Sequence, residues 1–252
     1  MGCAVGPPVL GPRRLVGARM ILGIETSVER VGVAVGDGRG IVASAQLSSD
    51  RRHAESLAPM IAFVLDQAGL APTDLSAVAV DVGPGLFTGM RVGIATADAM
   101  AWALEIPVVG VSSLDALALD AARGDDTIAV ALDARRGEIY WALYRPAEGA
   151  AEPVRIGEPR VSPPDDVVEH LADRAEDVVC AGNGFLRHAE ALAAPWMHVL
   201  GAQFAAPSAE AVVRIGTHRV AVDATVPAGG VQPIYLRAPD AEINWRTRRE
   251  SR

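Results

Sequence analysis

The sequence of 252 residues predicts an α/β fold of two stacked lobes, each with a mixed sheet and crossover helices. Three observations predict it. Apolar runs of strand length alternate with stretches whose apolar residues recur every three or four positions, the helical period. Each half opens with successive strands, read as an antiparallel meander, and then passes through helices to further strands, which requires crossovers. Half of the residues are hydrophobic but only 4% are aromatic, so the core is built from small side chains that let helices and strands pack closely. The halves share this element order and no obvious sequence repeat.

In the first half, Ile21 to Glu25 and Val31 to Val35 read as short apolar strands. The glycines of Gly36–Asp37–Gly38–Arg39–Gly40 supply the positive φ of a tight turn into a third strand, Ile41 to Leu47. Leu57, Met60, Ile61, Val64, Leu65 and Ala68 then form one apolar helical stripe that ends at Gly69. Ala77 to Val82 is a buried strand, followed by a glycine-rich stretch and a long helix to Leu104. Pro107 to Val111 is a further strand, after which Ser112 or Ser113 caps a helix through Ala122.

In the second half, Ile128 to Asp133 and Glu138 to Tyr144 are strands joined by a turn at Ala134 to Gly137. Pro163 to Ala172 reads as a helix with proline in its first turn. Val178 to Ala181 is a strand; helices follow through Leu192 and over Pro207 to Val220. The expected division is a leader over 1–19, a first lobe over 20–120 to which 228–252 return, and a second lobe over 121–227. Met20, where ordered patterning begins, is the expected start.

Composition narrows the function. A net charge of −8 disfavours a stand-alone nucleic-acid binder, because phosphate affinity comes mainly from Lys and Arg. The one basic run, Arg246 to Arg252, reads as a solvated tail. Cys3 and Cys180 sit in unlike settings, a Pro/Gly-rich leader and an apolar run, so a disulfide is not expected and a cytoplasmic location is. The leader lacks the apolar stretch of a signal peptide, and no run is long enough to span a membrane.

The glycine-rich stretch Gly83 to Gly93, GPGLFTGMRVG, lies between a strand and a helix. Helix-start N–H groups there, around Gly83, Gly85 and Thr88, are able to hold an anion, but the stretch matches neither a Walker loop nor G-x-G-x-x-G, and a structural turn is the favoured reading. Gly85, Gly89, Gly93, Ala97 and Ala101 recur at steps of four. Such a bare stripe admits a close neighbour, either within the chain or on a second subunit. Glu25, Thr26 and Ser27 end the first strand, where they either contact a nucleotide phosphate or its metal or, as favoured, cap the turn. Asp133, directly after an apolar strand, fits a charged turn and a ligand site equally well. His53, His170, His188, His198 and His218 show no metal-ligand spacing and read as surface residues.

Taken together, ILGIETS, HAESLAPMI, VGPGLFTGMRVG, PVVGVSSLDALA, LDARRGEIYWALY and QPIYLR resemble the TsaB family, in its order, from Met20 to about Arg237. The resemblance implies an actin-like ATPase fold, of the ribonuclease H-like class, and an accessory, non-catalytic role in making N6-threonylcarbamoyladenosine in ANN-decoding tRNAs. It implies a TsaD-like catalytic subunit and a TsaE-like ATPase as partners, contact with tRNA through the complex, and no cofactor required by this chain, with nucleotide between the lobes only weakly supported. It places the TsaD contact on the first-lobe helix pair, here Leu57, Met60, Ile61, Val64, Gly89, Gly93, Ala97 and Ala101; the same face would serve a homodimer. Three positions depart from the pattern. Glu25 stands where Asp is usual, Leu86 where Ser is common, and Leu57 where catalytic relatives carry the second histidine of a His-x-x-x-His metal pair begun at His53. The rivals are a glycoprotease-superfamily endopeptidase and an ATP-dependent kinase of the same fold. The missing metal pair and the weak phosphate loops stand against them.

Overall fold

The computed structural model describes residues 19–48, 53–146, 152–174 and 176–237. The expected leader, Cys3 and the basic tail lie outside them. Strands β1 (Met20–Glu25), β2 (Arg30–Asp37), β3 (Gly40–Ser48), β4 (Leu75–Asp81) and β5 (Val108–Val111) form one sheet in the order β3-β2-β1-β4-β5. Strands β6 (Thr127–Arg135), β7 (Glu138–Arg145), β8 (Val154–Ser162), β9 (Val178–Ala181) and β10 (Met197–Val199) form a second, in the order β10-β9-β6-β7-β8. Matched strand for strand, the two orders are identical. In each, three antiparallel strands are followed by two parallel ones. This is the two-lobed actin-like architecture.

Helices α1 (His53–Ala68) and α2 (Phe87–Leu104) cover one face of the first sheet. Helix α3 (Ser113–Ala121) packs on β6, β7 and β9, and α4 (Pro164–Ala172) and α5 (Asn183–Arg187) border the opposite face of that sheet. Helix α6 (Ala209–Ala221) covers the inner face of the first sheet and touches α3. The expected lobe boundaries therefore need correction. α6 falls in the span assigned to the second lobe but completes the first, and α3 falls in the first but packs on the second sheet.

Alternation within β1 explains the layering. Met20, Leu22 and Ile24 point to α1 and α2, and Ile21 points to α6. At Gly23 a Cβ would lie 2.6 Å from Val213 and 2.7 Å from the Ala209 carbonyl, so only glycine lets α6 approach this closely. Gly216 plays the reciprocal part against Ala79. Strands β8 and β10 were not anticipated from the sequence. The helix expected through Leu192 is confined to Asn183–Arg187.

Candidate functional site

The candidate site residues fall in two places: the junction of the β1 and β4 ends with the cleft beside it, and helices α1 and α2. β1 and β4 are parallel neighbours, and their ends bring two carboxyls together. Glu25 and Asp81 are both fully buried. Ser27 Oγ lies 2.6 Å from Glu25 Oε1 and 3.1 Å from Asp81 Oδ2, so one hydroxyl proton faces two acids. The Ser27 N–H donates to Glu25 Oε1 at 2.7 Å; Ser113 Oγ and the Gly83 N–H donate to Asp81 Oδ1 at 2.6 and 2.7 Å. Glu25 Oε2 accepts no donor. Burial first, and then the Asp81 charge, raise the Glu25 carboxyl far above the usual carboxylate range. Burial also raises Asp81, while its donors oppose the shift. The physical reading is a protonated Glu25 hydrogen-bonded to Asp81.

The glycine-rich loop packs on this turn. Leu86 N–H donates to the Ser27 carbonyl at 2.6 Å, and a Cβ on Gly85 would stand 2.2 Å from that same oxygen. Thr26 Oγ1 donates to the Gly89 carbonyl at 2.9 Å. The possible nucleotide-binding residues thus separate. Glu25, Thr26 and Ser27 are wholly buried and present nothing to the cleft. Gly83 and Gly85 serve close approach to the chain itself, while Thr88 is exposed at the start of α2. Asp133 stands on the opposite lobe.

The cleft between the lobes has a volume of about 680 Å³ and is lined by Glu29, His53, Leu86 to Gly89, Arg135 and Arg187 among others. Its cations are already matched. Glu29 of the first lobe reaches Arg135 at 2.5 Å and Arg187 at 3.0 Å, and Arg187 also binds Asp133 at 2.7 Å. His53, expected at the surface, is instead buried, with Nε2 2.7 Å from the Val28 carbonyl. Among the described residues no group of three or more His, Cys, Asp or Glu is arranged to hold a metal ion.

The expected partner face also needs correction. Leu57, Ile61, Val64, Ala97 and Ala101 belong to the chain's own core. Gly89 and Gly93 face the β1–β2 turn, where added Cβ atoms would lie 2.0 Å from the Thr26 carbonyl and 2.3 Å from Thr26 Oγ1. Met60 is half-buried and packs on that core. The outer faces of the same helices carry other residues: Phe63, 55% exposed, and Trp102, 79% exposed, with Ala95 and Ala99 exposed on α2. Sequence reasoning missed Asp81, Glu29, Arg187, Phe63 and Trp102. Asp81 ends an apolar strand, the same signal that singled out Asp133. Phe63 and Trp102 are out of phase with the buried stripes, which is how an outward-facing residue shows itself.

A family model described as "TsaD: tRNA N6-adenosine threonylcarbamoyltransferase" matches residues 40–245. The chain is 32% identical over 221 residues to the tRNA threonylcarbamoyladenosine biosynthesis protein TsaB of Escherichia coli, spanning 86% of this chain and 94% of that one. It is 32% identical to the Bacillus subtilis TsaB, spanning 89% and 97%. The chain belongs to the TsaB family. The solved structure of YeaZ from Pseudomonas aeruginosa superposes with a TM-score of 0.77 at 33% identity, covering 86% of this chain and 99% of that one. TsaB-family membership fits the two-lobed fold and a match over most of both chains. No helix among the described residues is long and apolar enough to cross a membrane.

Proposed function

We propose that this chain acts in tRNA threonylcarbamoyladenosine biosynthesis as a non-catalytic subunit that supports a TsaD-like enzyme through the outer face of α1 and α2. The observation that carries the reading is Trp102. It stands almost free in solvent on a helix whose other side is locked into the core. A large exposed aromatic beside small residues is the composition of an interface anchor. The non-catalytic role draws on positive features. Leu57 fills, with core packing, the place of a metal-binding histidine, and His53 is engaged by Val28. The cleft arginines are neutralised by Glu29 and Asp133. A TsaE-like ATPase and tRNA join through the same complex, in the cytoplasm.

Replacing Trp102 with Glu should leave the melting temperature near that of the unaltered protein and weaken capture of the TsaD-like subunit by at least about thirtyfold, the scale of an interface anchor. Undiminished capture would remove the helix face from the account. Depletion of the chain should leave ANN-decoding tRNAs without the modification, read by nucleoside mass spectrometry. Appreciable ATP hydrolysis or casein cleavage by the purified chain would favour the kinase or peptidase reading instead.

A further inference from the structure

After α6 the chain runs back along the first lobe. Val226 exchanges two main-chain hydrogen bonds with Val108 of β5 at 2.8 and 2.9 Å. The Gly229 N–H donates to Asp98 Oδ1 of α2 at 2.8 Å, and Val231 is buried in the core beneath α1 and α2. The Ile234 N–H donates to the Val82 carbonyl, at the end of β4, at 2.8 Å.

The change of lobe falls between two adjacent residues. Tyr235 lies against the first turn of α2. Its ring is 5.5 Å from that of Phe87, and its hydroxyl accepts from Arg91 Nε at 3.2 Å, while the Arg91 guanidinium sits 4.0 Å over the Phe87 ring. Leu236 packs instead against the second core, built from α3, β6 and β7, and faces Trp141 and Val161 across a cavity. Arg237 Nη1 donates to Glu138 Oε2 at 2.9 Å. Glu138 pairs with Arg135, the residue that reaches Glu29 across the cleft. The last of these contacts therefore holds a wall of the cleft.

Adjacent Cα atoms are about 3.8 Å apart, and the ring of Pro233 stiffens the approach, so the chain has no slack here. The lobes cannot part at this point without pulling Tyr235 off α2, or Leu236 and Arg237 off the second lobe. The Tyr235 end is the weaker. Its side chain is 40% exposed and touches only surface groups, whereas Leu236 is half-buried and the Arg237 side chain is 17% exposed within a charge-assisted bond. We propose that residues 234–237 are an interlobe strap, released at Tyr235, that makes the opening of the cleft depend on what occupies the α2 surface at Arg91. Arg91 lies in line with Ala95, Ala99 and Trp102 on the outer face of α2, so a protein seated there meets Tyr235 at the edge of its contact. Use of the strap by a TsaD-like partner rests on the proposed function; the strap itself does not.

The test is a distance measured within the full chain by pulsed electron spin resonance. Spin labels at Glu55→Cys on α1 and Glu190→Cys just past α5 occupy exposed positions on opposite lobes, in a Cys3→Ser background with Cys180 buried. The labelled chain is diluted with unlabelled chain so that only pairs within one molecule are read. Tyr235→Ala and Arg91→Ala should each lengthen the mean distance by at least about 2 Å and broaden its distribution, the scale of packed elements shifting between two states. Both side chains are exposed, so the variants should keep the circular dichroism of the unaltered protein. Arg237→Gln should lengthen the distance from the other end, and Tyr235→Ala added to it should lengthen it no further, because both act through one strap. Trp102→Glu, about 16 Å along the helix from Arg91, should leave the distance unchanged. An unmoved distance in Tyr235→Ala and Arg91→Ala, additive lengthening in the double variant, or equal lengthening from Trp102→Glu would each overturn the proposal. The measurement needs no partner, so a failed strap leaves the α2 face standing, and a failed capture experiment leaves the strap standing.

Discussion

Glu25 and Asp81 share one buried junction with two serines, and this has a measurable consequence. The native carboxyl of Glu25 is raised to about 8, whereas in the unfolded chain it titrates near 4.5. At low pH both states hold the proton and the native fold carries no penalty. As pH rises above the unfolded value, the unfolded chain releases its proton first, so stability falls until the native group also ionises. The melting temperature should therefore decline between about pH 5 and pH 8. Glu25→Gln should flatten that decline and stabilise the protein at pH 8 by on the order of 3 kcal/mol. A profile as steep in the variant as in the unaltered protein would place the effect elsewhere. Glu25 itself was legible as a special residue, because an acid ends an otherwise apolar strand. Its partner was not, since nothing local in AVAVDV says that Asp81 will meet another acid from 56 positions earlier in the chain.

Helix α2 has two faces that its sequence presents as one stripe of small residues and one outlying tryptophan. The four-residue spacing of Gly89, Gly93, Ala97 and Ala101 was readable as a demand for close approach, and close approach is what the fold delivers. Spacing alone could not say that the neighbour is the chain's own β1–β2 turn, because that depends on a contact 63 residues apart, Thr26 with Gly89. A glycine-to-alanine change on an exposed helix stabilises by about 1 kcal/mol. Here the sign should reverse. Gly89→Ala meets a main-chain carbonyl that cannot turn away and should destabilise by roughly 2–3 kcal/mol. Gly93→Ala meets a rotatable hydroxyl and should cost roughly 1 kcal/mol, the loss of the Thr26 hydrogen bond. Chemical denaturation of both variants checks the order, and equal or stabilising changes would refute the packing account. Strand β8 escaped sequence reading for a different reason. Its proline, glycine and charges, which protect an edge, also erase the alternation by which a strand is recognised.

At the level of the molecule, and apart from the 234–237 strap, the lobes are tied at two places of unequal strength. At the cleft, Glu29 binds Arg135 and Arg187, whose side chains are about half exposed. Away from it, Asp115 of α3 receives Tyr144 Oη at 2.9 Å, Arg219 at 3.3 Å and Arg155, while Arg219 also binds the Gly110 carbonyl at 2.7 Å and Glu152 at 2.6 Å. Exposed pairs contribute little, so Glu29→Gln should lower stability by less than about 1 kcal/mol. Asp115→Ala leaves Arg155 without its carboxylate while Arg219 keeps Glu152 and the Gly110 carbonyl, and should cost roughly 2 kcal/mol, the buried-pair value reduced for partial exposure. Thermal unfolding of the two variants would decide, and a larger loss from Glu29→Gln would reverse the assignment. The likeness of element order between the halves was legible in the sequence, though the edge strands β8 and β10 were not; the crossing of α3 and α6 between lobes was not legible either, because amphipathic patterns do not name the sheet they will cover. That crossing bears on biogenesis. The inner face of the first sheet, complete once β5 has emerged, waits for α6, which begins 98 residues later. At ordinary ribosomal speeds of about 5–20 residues per second, a nascent chain holds this sticky surface uncovered for roughly 5–20 s, long enough for holdase chaperones to be its first companions.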